Sequence, residues 1–398
     1  MKKRLIGLLK LLLVVALMAY ILRDVHFGDR LLTKRGKVVV AEQAIQIDGS
    51  WKTDPVAFRI GDAADQRHVA ELPVPDDCQL EVAPGFLTYW RNLDPWLFAL
   101  GAFCYFLTAL IAGARWWWLL RVNGTDVTLS ETLRFTWVGI FFNTVVPGAT
   151  GGDVIKALYI MKRCPGHRVQ VLVSVIVDRV LGLASLAVLG GVVVLFALDK
   201  FAEVALGIWG VIAGVGIVGV FAFSRRLRER IRLKALIDRL PPKVGHLLRL
   251  LDQAVYFYRD HKGVIGASLL AGIGNHVLSV FSVVFIGDAL GIDMPWLEYF
   301  ALVPVINILS AVPVAPNGWG YGDLLYKYLF GTYGAKYLTV ANAAQVMGVR
   351  GFALSVLYRL HLTFWSLLGG LFVLFEKDRV TKADIERETQ QEEQEDRE

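Results

Sequence analysis

Two Gly-Asp sequences, each preceded by a proline, carry the residues of this chain best suited to bind an anion. Asp153 is followed after three residues by Lys156, and Asp323 is followed after four by Lys327. Such spacings place both members of a pair on one face of a helix. A helix N-terminus also presents free N–H groups and the positive end of the helix dipole, which attract phosphate and other anions. The two sequences therefore predict sites for an anionic group.

Each Gly-Asp sequence belongs to a longer segment, and the two segments echo each other. Residues 141–157 and 307–327 both contain an asparagine, a Val-Pro pair, a glycine-rich break, Gly-Asp and a short apolar helix with a lysine. Proline and glycine at this density cannot lie within a continuous helix. A broken helix in a membrane is tolerated only where its backbone is buried in protein or lines a wet cavity, and paired breaks indicate a transporter site. The echo predicts two re-entrant helical hairpins related as an inverted repeat.

The residues of the breaks also have a purely structural interpretation. Asp153 and Asp323 could cap the short helices, because Asp is a favoured N-cap residue. The glycines could serve only the close packing of helices. Capping does not exclude a functional role, since a capping carboxylate can also meet a substrate cation or a proton.

Charged and amide side chains within apolar spans complete the candidate set. Each charge there costs about 2.5–3.5 kcal/mol on translocon scales, so it is a candidate for a functional site. Asp178 and Arg179 are adjacent and cannot face each other on a helix, so each needs its own partner. Arg350 could instead be a snorkelling flank, and His276 a hydrogen-bonded core histidine. The predicted substrate-binding residues are Asn143, Gly151, Gly152, Asp153, Lys156, Asp178, Arg179, His276, Asn307, Gly320, Gly322, Asp323, Lys327, Arg350 and Arg359.

Transmembrane helices must position these residues. Of 398 residues, 55% are hydrophobic, 12% aromatic and 20% charged. Soluble proteins average about 45–50% apolar residues even when Gly is counted, so a soluble globular fold and a disordered chain are both excluded. The composition predicts an all-α polytopic integral membrane protein with about six full spans besides the two hairpins. Runs of about 20 apolar residues identify these spans as Leu5–Leu22, Pro95–Leu120, Val169–Ala197, Val204–Phe223, Val264–Leu290 and Phe352–Phe375.

Basic residues predict the orientation of the chain. Lys2–Arg4 precede the first span, and six Lys and Arg residues lie within 225–234. Positively charged loops mark the cytoplasmic side, so both termini are predicted to lie in the cytoplasm of a bacterial inner membrane. All basic clusters reach that side only if each broken region is re-entrant or crosses as an even number of short helices. Arg115 and the tryptophans at 116–118 are expected to form an interfacial anchor.

Two parts of the chain lie outside the spans. Residues 24–94 are polar and contain short β-type runs at Lys37–Ala41, Ala44–Ile47 and Val56–Ile60, which predict a small β-rich extracytoplasmic insert. The charged residues after 375 predict a disordered cytoplasmic tail. The predicted domains are an N-terminal span at 1–23, the insert at 24–94, the transmembrane domain at 95–375 and the tail at 376–398.

The chain lacks the sequence signatures of several other classes of protein. No GxxxxGK[ST] nucleotide loop, HExxH metal motif or GxSxG nucleophile elbow occurs. The three cysteines are isolated, and neither a metal nor another cofactor is expected. The net charge of +6 is too small and too dispersed to indicate nucleic-acid binding.

Three strings in this order resemble the flippase-like membrane domain of the lysylphosphatidylglycerol synthases. They are Asn143…Val146-Pro147-Gly148…Gly151-Gly152-Asp153…Lys156, then Asp178-Arg179…Gly182-Leu183, then Pro313…Pro316-Asn317-Gly318…Gly320…Gly322-Asp323. The resemblance covers about residues 1–23 and 95–375. It implies a helical domain with two re-entrant hairpins that moves lipids or lipid-linked head groups between leaflets.

The chain departs from this family at several points. Both glycine-rich motifs close on Asp where the family often has Glu, and Lys156 stands where it often has Arg. Residues 24–94 have no recognised counterpart. No aminoacyl-transferase domain follows the membrane domain, so lysyl transfer to lipid is not expected from this chain.

The sequence therefore predicts a non-enzymatic translocase for an anionic phospholipid or lipid-linked head group, working by alternating access around the two broken helices. Replacing Asp153 or Asp323 by Ala is expected to abolish leaflet transfer. One alternative is a membrane scaffold that recruits a periplasmic partner through 24–94, which deletion of that segment would inactivate. Another is an intramembrane transferase with a lipid-linked donor, which product formation would reveal. In the translocase, the head group is held by the half-helix N-termini, Lys156, Lys327 and Arg359, while Asp153, Asp178 and Asp323 set charge or couple protons.

Overall fold

A computed structural model describes the helical core and the insert. Its described residues are 27–35, 38–51, 56–61, 65–75, 77–145, 151–195, 209–210, 213–214, 245, 257–258, 260–310, 320–339 and 343–376. The predicted span Leu5–Leu22, most of Val204–Phe223, the breaks at 146–150 and 311–319, the basic cluster at 225–234 and the tail from 377 lie outside these residues. The chain divides into two compact units, unit 1 with residues 1–103 and 280–362 and unit 2 with residues 104–279 and 363–398.

The described residues form four strands and nine α-helices. The strands are β1 (Asp29–Arg35), β2 (Val38–Ile47), β3 (Phe58–Ile60) and β4 (Gln79–Ala83). The helices are α1 (Phe86–Arg91), α2 (Pro95–Val122), α3 (Leu129–Val145), α4 (Gly151–Arg163), α5 (Arg168–Leu195), α6 (Lys262–Ala289), α7 (Trp296–Ser310), α8 (Tyr321–Leu329) and α9 (Ala343–Phe375).

Four of the described helices, α2, α5, α6 and α9, are long and apolar enough to cross a membrane. They carry large apolar side chains that are exposed, such as Leu270 on α6 and Phe364 and Leu367 on α9. Apolar side chains exposed in such numbers are typical of a surface that contacts lipid. The helices therefore define an integral membrane protein.

Helix α9 begins earlier than its hydropathy predicts, at Ala343 instead of Phe352. Its first turns pack against α8 through two glycines. A Cβ at Gly348 would lie 3.1 Å from the carbonyl oxygen of Lys327, and one at Gly351 would lie 2.7 Å from that of Tyr326. The start of the helix is thus set by close packing of the backbone, which a hydropathy window does not detect.

Helices α3 and α4 form an antiparallel hairpin within unit 2. At its open end, Arg163 Nε donates to Glu131 Oε1 over 2.7 Å. At its closed end, the side-chain oxygen of Asn143 accepts the N–H of Gly152 over 2.9 Å. A Cβ at Gly152 would collide with the Gly139 carbonyl oxygen, so the small residue is required where the two helices meet.

Helices α7 and α8 form a second antiparallel hairpin within unit 1. The ring of Tyr299 on α7 packs edge to face with that of Phe330, which directly follows α8, and their centroids are 5.5 Å apart. At the other end, a Cβ at Gly322 would lie 3.1 Å from Ser310 Oγ. Both broken segments of the sequence therefore fold into helix pairs whose ends approach through a glycine that precedes an aspartate.

The insert forms a four-stranded antiparallel sheet with strand order β3-β2-β1-β4. The run at Ala44–Ile47 and residues 38–41 of the run at Lys37–Ala41 belong to the single strand β2, and the run at Val56–Ile60 contains β3. Strands β1 and β4 were not predicted, because polar residues interrupt their apolar pattern. Tertiary pairing explains one of these residues, since Lys34 on β1 is buried and forms an ion pair with Glu81 on β4.

Candidate functional site

A cavity of about 280 Å³ lies within unit 2, against the closed end of the α3–α4 hairpin. Helices α2, α3, α4, α5 and α6 all contribute to its wall. The polar lining residues are Arg115, Thr136, Asn143, Asp153, Lys156, Asp178, Arg179, Asn275 and His276, and the others are Ala112, Gly139, Ile140, Gly182, Leu183 and Leu186. Six of the predicted site residues thus line one cavity: Asn143, Asp153, Lys156, Asp178, Arg179 and His276.

The first turn of α4 brings Asp153 and Lys156 together. Asp153 is the third residue of the helix, and its Oδ1 lies 3.1 Å from Lys156 Nζ. Asp153 therefore does not stand at the N-cap position. Its carboxylate belongs to an ion-pair network, while the Asn143 side chain satisfies the first-turn N–H of Gly152.

The adjacent residues Asp178 and Arg179 on α5 have separate partners. Asp178 Oδ1 accepts from Arg115 Nε over 2.8 Å, and its Oδ2 lies 3.9 Å from Lys156 Nζ. Arg179 forms an ion pair with Asp153. Five charged side chains from three helices therefore form one connected network, which we call the cavity cluster: Arg115, Asp153, Lys156, Asp178 and Arg179.

Arg115 belongs to this network, and the predicted interfacial anchor is wrong at this residue. Arg115 is only 7% exposed, and the neighbouring Trp116 is fully buried. Trp118 alone of the three tryptophans is exposed, at 43%. Asp178 could have indicated this role of Arg115, because a carboxylate deep in an apolar span requires a cation from another helix.

Two glycines give the Arg115 side chain its space between α5 and α6. A Cβ at Gly182 would lie 3.5 Å from Arg115 Nη2, and a Cβ at Gly272 would lie 3.0 Å from Nη1. At Gly272 the added atom would also collide with Ser185 Oγ, which donates to the Leu269 carbonyl oxygen over 3.0 Å.

Gly272→Ala is expected to lower the free energy of unfolding by about 1–3 kcal/mol, the usual cost of overpacking a core. The added methyl group must displace Ser185 or the Arg115 guanidinium. Denaturant titration of the purified protein measures the effect. Gly274→Ala is the matched control, because a Cβ at this position of the same helix has nothing within 4 Å. Equal stability of the two variants would contradict the packing described here.

Lys156 has an aromatic neighbour in addition to its two carboxylates. Its Nζ lies 4.4 Å from the centroid of the Trp116 ring. The ring is held in place because Trp116 Nε1 donates to Ser174 Oγ over 3.0 Å. A fully buried indole attracts an ammonium group by a cation–π interaction, so Trp116 adds a third attractive contact to Lys156 besides its two carboxylates.

The side chains of His276, Asn143 and Asn275 are the other nitrogen-bearing polar groups of the cavity wall. His276 Nε2 lies 3.0 Å from the carbonyl oxygen of Gly182. This contact agrees with a hydrogen-bonded histidine of α6, although the residue also lines the cavity. Gly151 and Gly152 form the first turn of α4, where Gly152 permits the close approach to α3.

The remaining predicted site residues belong to unit 1, where Asp323 is the centre of a second network. Asp323 is completely buried at the third position of α8 and accepts the N–H of Gly320 over 2.8 Å. Its Oδ1 accepts from Arg359 Nε over 2.6 Å and from the Ser355 hydroxyl. Gly320 has a φ of +80°, a conformation that favours glycine. Gly322 leaves room for the Arg359 guanidinium, which a Cβ would strike.

Arg350 is buried under aromatic residues of the N-terminal segment, so the snorkelling interpretation is wrong. Its guanidinium lies 4.5 Å from the Trp51 ring centroid, and its Nε donates to the Tyr89 hydroxyl over 3.2 Å. It is 5% exposed. Lys327 lies on α8 against Gly348, and Asn307 lies on α7 one turn before Ser310.

Among the described residues, no group of three or more His, Cys, Asp or Glu side chains is placed to hold a metal ion. The charged residues of the cavity cluster instead neutralise one another in part. Their chemistry is suited to holding a charged group by ion pairs and hydrogen bonds.

Four long apolar helices and a buried charge cluster define this chain as a multi-pass helical membrane protein. It belongs to the lysylphosphatidylglycerol synthase TM region family, whose model matches residues 85–358. The chain is similar to a UPF0104 membrane protein of Pyrococcus horikoshii, with 25% identity over 295 residues that cover 68% of this chain and 84% of that protein. No solved structure matches the chain. The matched region begins after β4 and includes every predicted site residue except Arg359.

Proposed function

We propose that this protein moves an anionic lipid head group between membrane leaflets and binds it in the unit 2 cavity. The observation that carries the proposal is the charge of the cavity wall. Three lining side chains are cationic and two are carboxylates, which leaves one net positive formal charge when His276 is counted as neutral. A net charge held at membrane depth is costly unless it serves a ligand or a transported ion.

The α3–α4 hairpin supports a site within the membrane. The helices have 17 and 13 residues, so they are about 26 Å and 20 Å long. Both fall short of the hydrocarbon thickness of about 30 Å. The charged pair Glu131–Arg163 lies at the open end of the hairpin. We therefore place the open end at the water interface and the closed end, with Asn143 and Gly152, inside the bilayer as a re-entrant hairpin.

The α7–α8 hairpin is the second member of the proposed inverted repeat. Its helices have 15 and 9 residues, again too few to cross a bilayer. In each hairpin, a Gly-Asp pair in the first turn of the shorter helix binds an arginine from a long helix: Asp153 with Arg179, and Asp323 with Arg359. We propose that transport occurs by alternating access around these two hairpins. The proposed topology has six full spans, with both termini in the cytoplasm of a bacterial inner membrane.

The charge of the ammonium group of Lys156 is the first requirement of the proposal to test. Lys156→Met keeps an unbranched side chain that is shorter by one atom, and it removes the charge from the cavity. In liposomes containing fluorescent phosphatidylglycerol, the rate of leaflet transfer is expected to fall at least 10-fold, because desolvated charge contacts contribute about 2–5 kcal/mol and each 1.4 kcal/mol is tenfold.

Lys162→Met is the matched control, since Lys162 lies exposed at the end of the same helix. It is expected to retain the transfer rate of the unmodified protein. Unchanged transfer by a correctly folded Lys156→Met protein would refute the site assignment.

The scaffold and transferase alternatives stay predictions. Deletion of 24–94 is a poor discriminator, because it removes Trp51 and Tyr89 and leaves the buried Arg350 without these partners. Point substitutions on the exposed face of the sheet test a partner surface without this damage.

A further inference from the structure

Each of the four carboxylate oxygens in the cavity cluster already faces a cation of the same cluster. Asp153 Oδ1 faces Lys156, and its Oδ2 faces Arg179. Asp178 Oδ1 faces Arg115, and its Oδ2 faces Lys156. An incoming amine would therefore have to compete with a cation that is already in place. Two of these cations, Arg115 and Lys156, are more than nine-tenths buried.

The same cluster has an excess of hydrogen-bond donors. Each arginine carries about five N–H donors and each lysine about three, none of which can accept. Two arginines and one lysine face two carboxylates across the cavity wall. The cavity wall therefore carries more N–H donors than carboxylate acceptors. A phosphate oxygen can accept charge-assisted bonds from such donors, and these are the stronger class of hydrogen bond.

The size of the cavity limits the head group further. A volume of about 280 Å³ lies just below the usual range for small-molecule sites, which is about 300–1,000 Å³. It accommodates one phosphate with a small uncharged substituent. An oligosaccharide on a diphosphate exceeds this volume, and a diphosphate also exceeds the single net positive charge of the wall.

We infer that the cavity selects a lipid head group with one phosphodiester, one net negative charge and no ammonium group. This inference rests on the proposed function. It narrows the anionic substrates of that proposal and excludes aminoacylated and zwitterionic head groups as preferred substrates. Specificity arises because the wall neutralises one negative charge and gives an amine no unoccupied carboxylate.

The test uses liposomes containing the full chain and lipids labelled on an acyl chain, so that the head groups stay native. Leaflet transfer is compared for phosphatidylglycerol, phosphatidylethanolamine and lysylphosphatidylglycerol. The expected result is transfer of phosphatidylglycerol at least 10-fold faster than of either amine-bearing lipid. Comparable rates for all three, each still dependent on Lys156, would overturn the inference and leave the proposed function standing. No transfer of any lipid would count against both.

Arg179→Gln provides a second readout that a general loss of structure cannot imitate. The Arg179 side chain is 50% exposed, so its replacement should be tolerated by the fold. The variant removes the net positive charge and gives an amine access to Asp153. The transfer ratio of phosphatidylglycerol to phosphatidylethanolamine is expected to fall at least fivefold. A ratio that stays constant while both rates fall would contradict the inferred selectivity.

Discussion

Asp323→Asn is expected to lower the free energy of unfolding by about 3–5 kcal/mol, the usual cost of removing one member of a buried ion pair. Asp323 is completely buried, and Arg359 is 6% exposed. Without the carboxylate, the Arg359 guanidinium keeps its burial but loses its counter-charge, and the Ser355 hydroxyl loses its acceptor. Unfolding of the purified protein in mixed micelles, followed by circular dichroism during titration with a denaturing detergent, measures the change.

Two further variants separate the ion pair from other effects at this position. Asp293→Asn removes an exposed carboxylate of the same unit and is expected to change the stability by less than about 0.5 kcal/mol. The double variant Asp323→Asn, Arg359→Gln removes both charges and is expected to recover part of the stability lost in the single variant. A single variant as stable as the unmodified protein would show that Asp323 does not brace the α7–α8 hairpin. Because the buried Asp323–Arg359 ion pair stabilises unit 1, loss of transfer in Asp323→Ala is expected to result from lower stability of the fold.

Asp178→Asn is expected to reduce leaflet transfer about 30-fold or more. Truncating one partner of a buried, hydrogen-bonded charge pair costs about 2–5 kcal/mol, and each 1.4 kcal/mol is a factor of ten. Asp178 accepts from Arg115 and faces Lys156, so its neutralisation leaves the Arg115 guanidinium without its carboxylate and leaves Asp153 as the one carboxylate among the three cations of the cavity cluster. The transfer rate in liposomes measures the effect.

Stability and transport should respond differently in the double variant Arg115→Gln, Asp178→Asn. With both charges removed, the free energy of unfolding is expected to recover relative to Asp178→Asn, because a buried Arg115 guanidinium without its counter-charge is no longer present. Transfer is expected to stay low, because Arg115 no longer donates to the head group. Asp126→Asn is the control, since this side chain is 99% exposed in unit 2. Full transfer by the double variant would show that the pair has a structural role alone.

The sequence was sufficient for those features that depend on local composition. Runs of apolar residues identified α2, α5 and α6 with ends close to those observed, because a bilayer requires a nearly fixed length of apolar helix. The spacing of Asp153 and Lys156 placed them on one helix face, and Asp153 Oδ1 lies 3.1 Å from Lys156 Nζ. Three short motifs were enough to indicate the family that the match to residues 85–358 confirms.

The sequence was insufficient where a residue obtains its role from a distant segment. Arg115 was assigned to the interface, because three adjacent tryptophans dominate its local pattern. Strands β1 and β4 were not predicted, since charged residues such as Lys34 and Glu81 find their partners only across the sheet. Arg350 was interpreted as a snorkelling residue at the flank of a span, because Trp51 and Tyr89, which cover it, are distant in the sequence.

The sequence alone determined that this is a membrane protein with two glycine- and proline-broken segments, because hydrophobicity and chain breaks are properties of consecutive residues. Only the tertiary structure decided how the charges are shared. It gave Asp153 and Asp178 a common cavity with three cations, and it enclosed Asp323 with a single arginine. The physical reason is that an ion pair depends on the distance between atoms of different helices, and near-identical Gly-Asp motifs contain no record of which helix will supply the cation.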